Sequence, residues 1–202
     1  MIRGETSGSA LIYRTIEAAM QLEIPDVPDD IYRAYESIEK LVLSGNASAV
    51  SKLRKIYDLV DRIAASIQPY TVCVKGCSHC CFIDVGVLFV EAQYIQMNLG
   101  IRADPGVSWS ENYVGKGIPC NFLSREGTCT VYAHRPFACR TFHAFDDPKY
   151  CADNSAHATY TGKSHPLLIK ISVLLESLNQ DRPIRDIRDF FPAMKTEGSE
   201  YD

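Results

Sequence analysis

The sequence predicts a mainly α-helical protein carrying a small cysteine-rich α/β region, with a short strand and one β-hairpin, built around one or two metal centres. Three observations carry this expectation. Apolar residues recur at helical spacing through the first seventy residues. All eight cysteines fall between Cys73 and Cys151. Between those positions, short β-branched and aromatic runs alternate with Gly, Pro and Asn.

The expected elements follow in chain order. Residues 9–22 place Leu11, Ile12, Ile16, Ala19 and Met20 on one stripe, ending at the Pro-bearing IPDVPDD. Residues 30–43 repeat the pattern with Ile31, Tyr35, Ile38 and Leu41, and stop at Ser44-Gly45. A third helix over 47–67 aligns Val50, Leu53, Tyr57, Val60, Ala64 and Ile67 before Pro69 ends it. FIDVGVLFV reads as a strand leading into the helix EAQYIQMNL, with Gly100 as its cap. The looser stretch 101–119 precedes a hairpin formed by PCNFL and TCTVY around Glu126-Gly127. A helical turn follows Pro136, 146–164 reads as loop, a helix covers 165–179, and IRDIRDFF adds a short amphipathic turn. This divides the chain into N-terminal helices over 1–70, a cysteine region over 71–160, C-terminal helices over 161–195 on the same domain, and a disordered tail over 196–202.

Composition narrows the function classes. Apolar residues make up 46% and charged residues 23%, with a net charge of −4. Seven Lys/Arg balance seven Asp/Glu between Cys73 and Cys151, so no basic patch points to nucleic acid. No apolar run reaches membrane-span length, and the N-terminus lacks the core of an export signal. The expectation is a soluble cytoplasmic protein, a compartment that keeps thiols reduced. Its partners would include neither nucleic acid nor membrane, leaving a partner protein or a redox partner.

The stretch CVKGCSHCC sets four thiols, Cys73, Cys77, Cys80 and Cys81, into nine residues. Cys120, Cys129, Cys139 and Cys151 follow at wider spacing. A disulfide framework suits small exported chains better than this one. A thioredoxin-like pair needs a βαβ setting that Cys77 and Cys80 lack. Metal ligation accounts for the clustering, because C-x2-C can turn two sulfurs to one centre and soft thiolates select zinc, copper(I) or iron–sulfur clusters. The neighbouring side chains of Cys80 and Cys81 diverge, which suits two metals or two sides of one cluster.

Several other side chains bear on such a site. Grouped thiolates are anionic, so Arg135 and Arg140 are candidates for charge compensation and hydrogen bonding around the centre, with Lys75 a weaker one. The competing expectation is a structural role, Arg135 capping a helix or pairing with Asp146. His79, His134, His143 and His157 are alternative ligands, with His79 expected to point away from its tight turn. Asp146-Asp147 reads as a solvated turn before Pro148.

Taken together, CVKGCSHCC, PCNFL, TCTVY, RPFACRTF and the last Cys151 resemble the zinc- or iron-chelating cysteine-cluster family, also called the YkgJ or CxxCxxCC family. The resemblance covers about 80 residues and all eight cysteines, with Pro119, Leu123, Tyr132, Arg135-Pro136 and Arg140. It implies chelation of zinc, or of iron as an iron–sulfur cluster. Some relatives belong to larger proteins that methylate flagellin lysines, an activity for which this chain shows no S-adenosylmethionine loop. Three functions remain open: an iron–sulfur protein in redox chemistry or a modification reaction, a non-catalytic structural zinc module, and a metal-dependent enzyme with an open coordination position.

Overall fold

Helical periodicity becomes helix wherever an apolar stripe finds a partner. The computed structural model describes residues 13–104, 117–153, 156–182 and 184–192. The 196–202 tail, the start of the first expected helix and most of the looser stretch before Pro119 lie outside them. The first elements are α1 (Ile16–Met20), α2 (Asp29–Ser44) and α3 (Ala49–Ile67). Thr15 caps α1 by accepting from the Ala18 N–H, and Ser48 caps α3 by accepting from the Ser51 N–H. The α3 stripe is buried along its length by Leu53, Ile56, Tyr57, Val60, Ile63 and Ile67. It packs against α2 and against α7 (Pro166–Leu178), which buries Leu167, Leu168, Ile171, Leu174, Leu175 and Leu178. These three helices form the main core.

A second, smaller core supports the cysteine region. It gathers Val85, Val87, Ala92, Ile95, Val131, Ile187, Phe190 and Phe191, with Cys120, Cys129, Cys139 and Phe122 packed on its edge. Its scaffold is α4 (Phe89–Leu99) and the two-stranded antiparallel pairing of β1 (Gly86–Val87) with β4 (Arg185–Asp186), followed by α8 (Ile187–Phe190). Between these lie α5 (Phe137–Thr141), β2 (His143–Ala144), α6 (Pro148–Ala152) and β3 (Thr159–Tyr160). Strand β2 pairs antiparallel with β3, His143 opposite Tyr160 and Ala144 opposite Thr159. The fold is therefore mainly α with small strand pairs. Among the described residues, no helix is long and apolar enough to cross a membrane.

The differences from the sequence expectation have local causes. The strand expected across FIDVGVLFV is confined to Gly86–Val87, because the Glu91 carboxylate accepts the Leu88 N–H at 2.9 Å and starts α4 early. Gly100 does terminate α4 at φ 69°, in the left-handed region. The hairpin around Glu126-Gly127 reduces to one bridge, Leu123 with Cys129, beside a turn in which Gly127 has φ 74°. It ends there because the Cys120 N–H bonds to the Cys81 carbonyl at 2.7 Å instead of a strand partner. The expected loop over 146–164 contains both α6 and β3.

Burial of a charged pair fixes the second core to the cysteine loops. Arg188 is 1% exposed and pairs with Asp186, also 1% exposed, at 2.8 Å. Removing one partner of such a pair strands the other charge in the interior. Arg188→Ala is expected to lower unfolding free energy by about 3–5 kcal/mol, measured by denaturant titration. An exposed control such as Arg62→Ala, whose pair with Asp30 lies in solvent, should cost less than about 1 kcal/mol.

Candidate metal centre

Five stretches of chain bring the thiols together. Cys73 and Cys77 lie in the loop after α3, and Cys80 and Cys81 in the 3₁₀ turn His79–Phe82. Cys129 forms the bridge with Leu123, Cys120 lies just before it, Cys139 lies on α5, and Cys151 on α6. All eight are free thiols; Cys80 is exposed and the rest are half-buried.

Electrostatics sorts the thiols into two neighbouring groups. In one, burial raises Cys73, and the Cys77 and Cys80 thiols add to the shift. Burial followed by Cys73 and Cys77 pushes Cys151 up to about 12. In the other, burial drives Cys139 well above its ordinary value, with Cys80, Cys120 and Cys129 acting in the same direction. Cys80 belongs to both. Its own pKa is raised first of all by a hydrogen bond with the Cys81 thiol, and it acts on Cys73, Cys77, Cys129, Cys139 and Cys151.

Against these shifts stands a set of N–H donors. The Ala144 N–H reaches the Cys73 Sγ at 3.4 Å. The N–H groups of His79, Phe122 and Val131 act on Cys77, Cys120 and Cys129, each two residues ahead of its cysteine, and favour the thiolate. The Arg135 guanidinium favours the thiolates of Cys80 and Cys129, and that of Arg188 favours Cys120. Donors aimed at sulfur suit a thiolate bound to metal, since they offset the anionic charge of the ligand set. The soft all-sulfur set itself fits zinc or iron. Among the described residues, no three His, Cys, Asp or Glu already enclose one metal position.

The two arginines expected near the thiols occupy different positions. Arg140 is 2% exposed and bonds bidentately to Asp61 on α3 at 2.6 and 2.7 Å. Its other N–H groups donate to the carbonyls of Arg135 and Ala133, and its guanidinium lies 4.1 Å over the Tyr57 ring. Arg135 stacks on Tyr132 at 3.9 Å, donates to the Tyr132 carbonyl and approaches Asp61 at 4.0 Å. Asp146 is thus not its partner. The solvated turn expected at Asp146-Asp147 holds only for Asp147, which caps α6. Asp146 is fully buried and accepts from the Ala158 N–H at 2.8 Å and from His157 Nδ1 at 2.9 Å. His157 Nε2 in turn lies 3.7 Å from Cys151 Sγ. His134 contacts Tyr94, and His143 bonds to the Arg140 carbonyl. His79 and His157 both line a cavity of about 270 Å³ with Cys80, Ile83, Phe142 and Cys151.

Three supporting residues escaped the sequence reading. Arg188 donates to the carbonyls of Cys81, Ile83, Ile118 and Pro119 at 2.7–3.4 Å, holding the two sides of the cysteine region together. Glu91 accepts from the Tyr57 hydroxyl, the Phe137 N–H and the Leu88 N–H, and burial raises its pKa. Asp61 lies on the face of α3 turned to Arg140. Only Glu91 left a sequence signal, as an acidic residue in the first turn of a helix.

With the geometry in place, comparison with known proteins locates the region. Residues 72–160 match the model of the CxxCxxCC family, described as a "putative zinc- or iron-chelating domain". The match takes in all eight cysteines and makes this segment similar to cysteine-cluster domains of the zinc- or iron-chelating type. No curated protein and no solved structure matches the chain.

The Glu91 contacts set a testable cost. Glu91→Ala leaves a buried hydroxyl and two backbone N–H groups without their acceptor, and is expected to destabilise the protein by about 3 kcal/mol or more. Chemical denaturation checks the cost, and the metal-to-protein ratio should fall with it because Phe137 begins the helix that carries Cys139.

Proposed function

We propose that the cysteine-cluster domain holds iron as a thiolate-ligated iron–sulfur cluster and serves redox chemistry, either electron transfer or a modification reaction. The observation that carries this reading is the gathering of eight free thiols, none in a disulfide, within the matched segment. So many soft donors in one region suit a polynuclear centre or two close metal sites. When bound, such a cluster supplies one-electron exchange at a potential set by burial and by hydrogen bonds to its sulfurs. The chain's own residues supply those controls. Ala144, His79, Phe122 and Val131 direct N–H groups at four sulfurs. Phe122 and Phe191 meet edge to face at 5.1 Å, and Phe122 and Cys120 both pack on the core that contains Phe191. Cys80 is exposed, which gives a partner protein an edge for exchanging electrons. The reading includes a reducing, cytoplasmic setting and a protein redox partner, not a nucleic acid or a membrane.

A second reading has its own observation. The cysteine loops contain little regular structure, and a zinc held by four thiolates would cross-link them as a structural module for protein interaction. Metal and sulfide analysis of protein purified without oxygen separates the two. The expected result is iron with acid-labile sulfide and a visible absorption that bleaches on reduction. Colourless protein containing only zinc would overturn the redox reading in favour of the structural one.

A further inference from the structure

The register of the β2–β3 ribbon continues beyond its paired residues. Ala144 opposes Thr159, the Phe145 N–H bonds to the Ala158 carbonyl at 3.0 Å, and the next pair in line is Asp146 with His157. Cross-strand neighbours stand within side-chain reach, and here the carboxylate and the imidazole meet at 2.9 Å. Asp146 is fully buried, and the His157 side chain is 7% exposed. A histidine that gives its Nδ1–H to a buried carboxylate keeps a lone pair on Nε2 and a fixed ring orientation, the arrangement of imidazoles that bind metal. That lone pair faces Cys151 across 3.7 Å. Metal bonds of about 2.3 Å to sulfur and about 2.0 Å to nitrogen, at a tetrahedral angle, set the two donors roughly 3.5 Å apart. The observed separation is close to one edge of such a tetrahedron.

The same ribbon also reaches Cys73. Ala144, two residues before Asp146, gives its N–H to Cys73 Sγ, and Val72 bonds to the Ala144 carbonyl. Cys73 thereby lies against the strand that leads to Asp146. We propose that His157, oriented by Asp146, is a metal ligand that joins Cys151 in a mixed nitrogen–sulfur centre. The assignment rests on the metal-binding reading of the domain, but not on which metal is bound. Imidazole suits zinc and iron alike.

X-ray absorption on the full chain, purified without oxygen and recorded at the edge of the metal it carries, tests the ligand. The expected spectrum contains the multiple-scattering signature of imidazole in the unmodified protein. His157→Ala removes that signature, while His157→Cys restores the metal content with an all-sulfur shell. Zinc competition against a chelator on the metal-free chain tests Asp146, and Asp146→Asn should weaken binding about 10- to 100-fold. A sulfur-only shell in the unmodified protein, or an imidazole signature that survives His157→Ala, overturns the assignment and leaves the thiolate centre standing. A chain that holds no metal overturns both.

Discussion

Irregular backbone can be buried only if its carbonyls find donors, and here two arginines supply them. Arg140 and Arg188 follow one plan. Each is almost wholly buried, each is held by one aspartate, and each spends its remaining N–H groups on loop carbonyls. A guanidinium suits this task because its planar fork satisfies several acceptors at once and keeps its charge in the interior. Arg140 ties the Ala133–Arg135 loop to the central helix through Asp61. Arg188 ties the first cysteine turn to the approach of Cys120. The thiols are brought near one another because these loops are pinned from both sides.

The division of labour among charged groups follows from that constraint. Arg140 sits beside Cys139 in sequence, but its donors are committed to oxygen atoms. Compensation at sulfur comes from Arg135, from Arg188 and above all from backbone N–H groups set two residues beyond a cysteine. A peptide dipole placed by local geometry requires no second buried charge, so it stabilises a thiolate without the desolvation cost of an added cation.

The legible parts of the sequence were those governed by short-range rules. The stripes of α2, α3 and α7 and the Gly100 cap follow from periodicity and from backbone freedom, and the cysteine spacing was enough to single out the segment that the family comparison matches. What could not be read depended on long-range pairing. Asp146 looked like a surface residue because its partner, His157, comes within reach only once β2 and β3 have paired in one register. Arg188 lies in a run of alternating charges that resembles an exposed turn, yet it is enclosed because four carbonyls distant in sequence converge on it. The strand before α4 was overestimated because apolar, β-branched runs favour strand locally, whereas a carboxylate three residues into the helix claimed the Leu88 N–H.

The position of Arg188 in the chain also sets an order of events. A ribosome delivers Cys73 first and Cys151 last among the thiols, and Arg188 emerges only afterwards. Until it arrives, the carbonyls of Cys81, Ile83, Ile118 and Pro119 have no guanidinium to receive them and remain turned to water. The cysteine loops of a growing chain are thus complete in sequence but open in structure. The contacts that hold the cysteine turn to the approach of Cys120 therefore depend on the last-made part of the domain.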